Sequence, residues 1–147
     1  MKKIVLFILL GALCQQVMFA EREVVLSNAR LLPANSLEFL RTHFPGMPVY
    51  LVNIERDGDD IFSFGAVLNN GYYIEFDGVG EWREVDCHRE QVPVSVIPNI
   101  IKKYVDQKYN GEIVTLVDRG LEFSRVRLIS RKVLVFDPDS NFVRIDE

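Results

Sequence analysis

An α+β fold, made of a helix followed by a four-stranded antiparallel meander and then made again, follows from three features of the sequence. Phe76-Asp77-Gly78-Val79-Gly80-Glu81-Trp82-Arg83-Glu84-Val85-Asp86 returns as Phe136-Asp137-Pro138-Asp139-Ser140-Asn141-Phe142-Val143-Arg144-Ile145-Asp146, at a constant offset of 60 residues. Two segments with apolar residues at helical spacing, 32–44 and 97–109, match each other at an offset of 65. The stretch after each helix reads as short strands joined by connections too short for parallel crossovers. A self-similar period of this length marks a supersecondary unit used twice, so neither copy is a private catalytic loop. The two repeats span about 31–87 and 92–147, and their helices should pack on one face of the sheet.

In chain order, residues 1–20 read as an export signal. Lys2 and Lys3 form its charged start, Ile4 to Leu13 its apolar stretch and Ala20 its cleavage edge. The apolar run is well short of the roughly 20 residues that a spanning helix needs, and no later stretch comes closer. Cys14 follows Leu13, where a lipid-attachment signal carries a small residue, so cleavage near Ala20 is expected over lipidation. A polar and aliphatic lead over 21–30 precedes the first helix, which places Leu32, Ser36, Phe39, Leu40 and Phe44 on one face. Strands are predicted over 49–55, 61–68, 72–76 and 81–85, with Asn69-Asn70-Gly71 as a tight primed turn. Ser95 is placed as the N-cap of the second helix, whose face carries Ile97, Ile100, Ile101, Tyr104, Val105 and Tyr109. Strands at 113–118, 121–129, 132–136 and 141–145 complete the chain. Pro45-Gly46 and Asn110-Gly111 stop the two helices.

Strand alternation then assigns faces. Phe62, Phe64, Ala66, Leu68, Ile74, Phe76, Val126, Leu128, Leu134 and Phe136 should cover the helices. Tyr73, Glu75, Phe123, Arg125, Arg127, Val133 and Val135 point the other way. An antiparallel sheet can leave one face in water, so this second face is the available working surface. Its mix of aromatic, aliphatic and arginine side chains has the composition of an interface, the competing view being that arginine stems merely cover apolar strand residues.

A helix-plus-four-strand unit used twice, opened by Leu32-Pro33, closed by Phe44-Pro45-Gly46 and followed by the Phe76-Asp77 to Trp82 strand pair, resembles the PepSY-like family. The resemblance covers about residues 32–146. It implies the fold of the β-lactamase inhibitory protein, a secreted or periplasmic setting in Bacteroides-type bacteria, and a protein-interaction role. Ile97-Pro98, Asn110-Gly111 and Phe142 depart from the pattern but keep the residue class.

Composition narrows function further. Without its leader the chain has 127 residues, the size of one domain, and 15 basic against 21 acidic side chains, a charge of −6. That balance argues against nucleic acid and anionic membranes as partners. Cys87 alone remains after cleavage, so an intramolecular disulfide is impossible, and it reads as a half-buried residue at a strand end. Cys87-His88 with His43 falls short of a tetrahedral metal set, and His43 reads as a solvated helix residue. Asp137-Pro138-Asp139-Ser140-Asn141 lacks the glycine and distal glutamate of a calcium loop, and Asp57-Gly58-Asp59-Asp60 is likewise an acidic turn. No nucleophile elbow, phosphate loop or zinc-protease motif occurs. No catalytic residue, metal or cofactor is therefore expected, and the chain reads as an exported, non-enzymatic protein-binding module with an unidentified protein partner. The alternatives are a small-ligand or cation sensor of the envelope and a lipid-anchored envelope component.

Overall fold

The two apolar stripes form α1 (Ala34–His43) and α2 (Asn99–Lys108), each shorter than its periodicity suggests. Proline sets both starts. Pro33 and Pro98 occupy the N-cap positions without side-chain caps. Pro98 also keeps Ile97 extended at ψ 125, so the helix cannot begin earlier. Ser95 is consequently not the N-cap: it lies in the 3-10 turn Val94–Val96, where its hydroxyl meets His43 Nδ1 at 2.8 Å. Gly46 (φ +74) and Gly111 (φ +85) adopt the left-handed conformation beyond the two helix ends.

The computed structural model describes residues 21–26 and 29–146, and the predicted leader, with Cys14 and Ala20, lies outside the described residues. One sheet runs in chain order through β1 (Glu21–Leu26), β2 (Val49–Asp57), β3 (Asp60–Leu68), β4 (Tyr73–Asp77) and β5 (Trp82–Asp86). It continues through β6 (Val114–Arg119), β7 (Ser124–Leu128), β8 (Val133–Phe136) and β9 (Phe142–Asp146). All neighbouring strands are antiparallel. The α+β class holds, and four strands follow each helix. β1 is an addition to the predicted set, because a helix-first unit has no place for a strand before the helix. It meets β2 with Val25 opposite Val52 and Leu26 opposite Leu51. β5 meets β6 in the same way, with Val85 opposite Val117 and Asp86 opposite Leu116.

Bulges re-aim several side chains. Ile61 pairs with Arg56 and Ser63 with Glu55, which leaves Phe62 as an extra residue on β3 and reverses the alternation there. Phe62 is 69% exposed whereas Phe64 is 4% exposed, so Phe62 does not join the buried set and Ile61 packs against it instead. The Asn69-Asn70-Gly71 turn also differs from expectation. Gly71 (φ +90) has positive φ while Asn69 and Asn70 do not, and Gly71 N–H donates to Leu68 O at 2.9 Å, so the hairpin is not a two-residue primed turn.

The core joins Leu40 of α1 and Ile101 and Val105 of α2 to the alternating buried residues of the sheet, including Val52, Phe64, Ile74, Phe76, Val126 and Phe136. Ring contacts recur in both halves. Phe39 lies edge-on to Phe76 at 5.8 Å and stacks on Trp82 at 5.7 Å, while Tyr104 lies edge-on to Phe136 at 5.5 Å and stacks on Phe142 at 5.0 Å. Each such pair adds about 1 kcal/mol beyond area burial. Trp82 is thereby occupied in packing, with the Arg119 guanidinium 4.5 Å from its ring centroid.

Polar contacts tie the start of α1 to the turn between β4 and β5. Ser36 Oγ donates to Gly80 O at 2.9 Å, and Asn35 Nδ2 donates to Val79 O at 3.0 Å. His43 is half-buried, tilted against Phe39 at 4.5 Å and bonded to Ser95, so it bridges the halves and is not a freely solvated residue. Burial lowers its pKa.

Candidate functional site

Alternation away from the buried cluster brings two rows of side chains onto the opposite face of the sheet. Strand register sets one row as Glu75, Glu84, Asp118, Arg125, Val135 and Arg144, each directly opposite the next on the neighbouring strand. The second row runs Tyr73, Asp86, Leu116, Arg127, Val133 and Asp146. Carboxylates thus gather over β4 to β6 and guanidinium groups over β7 to β9.

The predicted residues fall on this face, but most have internal partners. Tyr73 lies over Gly65, where an added Cβ would come 2.9 Å from the phenol oxygen, and its hydroxyl donates to Glu75 Oε2 at 3.1 Å. Burial, and then the neighbouring Glu75, raise the Tyr73 pKa. Arg125 pairs with Asp118 at 3.5 Å and Asp146 at 3.8 Å. Arg127 NH2 reaches Asp86 Oδ1 at 2.6 Å, and its Nε donates to Thr115 Oγ1 at 3.2 Å. Phe123 has the Arg144 guanidinium 5.5 Å from its ring centroid. Val133 is half-buried.

Val135 corrects the expectation of an open surface, being 0% exposed. It stands between Arg125 and Arg144, one on either neighbouring strand, and Asp146 holds both arginines. Long arginine stems lying along apolar strand residues account for that burial. The arginines therefore form part of the wall over Val135.

Of the carboxylates on this face, only Glu75 belonged to the sequence-derived site. Glu84 has Glu75 opposite on one side and Asp118 opposite on the other. Burial raises its carboxyl to about 7, assisted by Asp118, Glu75 and Asp86 and opposed by Arg127. The alternation that placed Arg125 and Arg127 on this face, applied to β5, β6 and β9, would also have placed Glu84, Asp86, Asp118, Arg144 and Asp146.

The acidic turns that begin at Asp77 and Asp137 are internally satisfied. Asp77 Oδ1 accepts from Val79 N and Glu81 N, and its Oδ2 accepts from Arg83 at 3.0 Å. Asp137 accepts from Asn141 N at 2.8 Å and from its side-chain amide at 3.1 Å; these bonds hold its pKa below the usual value. Among the described residues, no group of three His, Cys, Asp or Glu side chains is arranged to hold a metal ion. Cys87 is fully buried rather than half-buried, and burial, then Asp86 and Glu90, push its thiol up to about 12. That suppresses the thiolate that nucleophilic or metal chemistry requires. Among the described residues, no helix is long and apolar enough to cross a membrane.

Residues 62–144 match the family described as "Putative beta-lactamase-inhibitor-like, PepSY-like". A "putative calcium-regulated periplasmic protein" from Bacteroides thetaiotaomicron is 32% identical, with a TM-score of 0.78, 86% of this chain covered and 97% of that one. A "putative periplasmic protein" from Bacteroides vulgatus is also 32% identical, with a TM-score of 0.78 and coverage of 86% and 98%. Another from the same organism, of "unknown function", is 28% identical, with a TM-score of 0.81 and coverage of 86% and 100%. No curated protein matches the chain. These relatives support a periplasmic setting, and none of the descriptions indicates an enzymatic family.

Proposed function

Because the chain belongs to the PepSY-like family, we propose that it is an exported, non-enzymatic binding module that takes a protein partner on the face of the sheet opposite its helices. The row Glu75, Glu84, Asp118 is the observation that carries this reading. Like charges directly opposite one another across strands are destabilising, so a face with only a structural role has no use for three in succession. Groups held in a costly electrostatic state are characteristic of working surfaces. Beside the carboxylates lie Tyr73 on β4 and Arg125 and Arg127 on β7, with Phe123 just before β7 and Val133 farther along on β8, a composition suited to an interface core. A partner with cations for β4 to β6 and anions for β7 to β9 fits this surface. The reading includes a leader over 1–20 removed near Ala20, then one domain of two repeats at about 31–87 and 92–147. The paired ring stacks and matching strand registers support that division.

Affinity capture from a periplasmic extract tests the proposal, with the wild type beside a Phe123→Ser/Val133→Ser variant whose melting curve verifies folding. A protein held by the wild type and lost by the variant would support the sheet face, whereas equal retention would place binding elsewhere. Replacing Arg125 and Arg127 by alanine is a poorer probe, because it leaves Asp118 and Asp86 without their arginine partners. A second reading, control by calcium, draws on the description of the B. thetaiotaomicron relative alone, since the described residues hold no ready-made set of three ligands. A rise in melting temperature with calcium but not with magnesium would favour it.

A further inference from the structure

We infer that the cleft at the end of β5, between the segment after Asp86 and the β7–β8 turn, binds a small dianionic oxyanion of the carboxylate or phosphate type. The cleft has a volume of about 330 Å³ and is lined by Asp86, His88, Arg89, Thr115, Arg127 and Arg131 among others. A liquid water takes up about 30 Å³, so the space holds roughly ten waters or a ligand of about ten heavy atoms. Three guanidinium groups face one carboxylate across this space, although the chain as a whole carries a net charge of −4. The single carboxylate is already engaged: Asp86 Oδ1 accepts from Arg127 NH2 at 2.6 Å and from His88 N–H at 2.7 Å. Arg89 and Arg131 are exposed and form no ion pair among the described residues. Two uncompensated guanidinium groups beside an oriented third are the donors that planar oxyanions select.

The fold does not demand these residues. At the corresponding positions of the first half, Tyr50 stands for Thr115, Val67 for Arg127 and Gly71 for Arg131. Tyr50 and Thr115 occupy matching bulges, so the same backbone is made with an exposed phenol in one half and a buried hydroxyl in the other. In the second half that hydroxyl orients Arg127 by accepting its Nε–H at 3.2 Å. Arg131 has φ +74 in a turn whose first-half counterpart uses Gly71 at φ +90. An arginine kept where glycine would be relaxed is an outlier of the kind found at ligand sites. His88 has φ +57, and its Nε2 must donate to Gly71 O at 2.7 Å, which holds the imidazole at the rim of the cleft.

The cleft would take an anion whether or not the sheet face takes a protein. Titration of protein produced from the full chain with inorganic phosphate and with succinate, at constant ionic strength set by sodium chloride, tests the site through the NMR shifts of the Thr115 and Arg131 amides and the Arg127 Nε–H. Saturation by both dianions, or by one of them, is expected, the latter naming the oxyanion class. Arg89→Gln/Arg131→Gln should weaken binding about tenfold or more without moving the melting temperature, since charge-assisted hydrogen bonds are lost. Lys103→Gln, on the exposed side of α2, should leave binding unchanged. Shifts that do not saturate, or saturation equally strong in the double arginine variant, would overturn the inference.

Discussion

Replacing Glu84 by glutamine should stabilise the protein at alkaline pH and leave it nearly unchanged in acid. The Glu84 carboxyl stands between Glu75 and Asp118, and its pKa rises from 4.5 to about 7. The folded state therefore holds a proton that the unfolded chain has released between those two values. Stability from this group is fully present below pH 4.5 and is lost as pH rises through about 7. At about 1.4 kcal/mol per pKa unit the full loss is roughly 3 kcal/mol, and screening of a half-buried group reduces it to about 1–2 kcal/mol. The glutamine amide removes the charge and can donate to either flanking carboxylate. Urea unfolding should give nearly superimposable curves for the two proteins at pH 4 and a midpoint higher by about 0.5–1 M for Glu84→Gln at pH 8. His43, its pKa lowered by burial, acts in the opposite sense: its contribution is present above the unfolded value of 6.5 and lost as pH falls. It is common to both proteins and cancels from the comparison. An equal gain at both pH values, or a loss at pH 8, would refute the assignment of strain to the carboxylate row.

Gly80→Ala should cost about 2–4 kcal/mol in urea unfolding, because φ is +90 and the new Cβ would lie 2.6 Å from Pro33 Cβ and 2.8 Å from Ser36 Oγ. A change below 1 kcal/mol would mean that the start of α1 is not locked to this turn. Phe62→Ser should alter stability by no more than about 0.5 kcal/mol, whereas Phe64→Ala should lose about 3–5 kcal/mol. The reverse order in thermal melts would remove the β3 bulge from the account. Cys87, with its thiol pushed up to about 12, should resist a disulfide reagent at pH 8 until denaturant is added. Immediate labelling of native protein would contradict its burial.

Helices and strands were legible where one periodicity dominated. Ile101, Tyr104 and Val105 had to share a face, and Phe64, Ala66, Leu68 and Ile74, Phe76 had to alternate, because no other arrangement removes them together from water. Three features depended on longer-range geometry. Phe62 has the parity of Phe64, and a bulge set by pairing with β2 reversed it. Val135 has the parity of Arg125 and Arg127, but the rank of side chains on β9 turned an outward valine into a buried one. The segment Glu21–Leu26 has only three apolar residues, so its place as a strand rests on the free edge of β2 and not on its own pattern. For the site, alternation found Glu75 and the arginines, and applied to β5, β6 and β9 it reaches the other carboxylates as well; which carboxylate meets which arginine became apparent only once the strands were laid side by side.

The strand ahead of α1 has one further consequence. β9 follows β8 as β5 follows β4, and β2 follows α1 as β6 follows α2, so the β5–β6 junction shows the pairing that β9 of one molecule could make with β2 of another. Such a contact joins unlike edges and does not close on itself, which is the arithmetic of a growing filament. β1 fills the β2 edge within the same molecule and so acts as a chain terminator. Without it, every copy would carry both a plug and a matching socket.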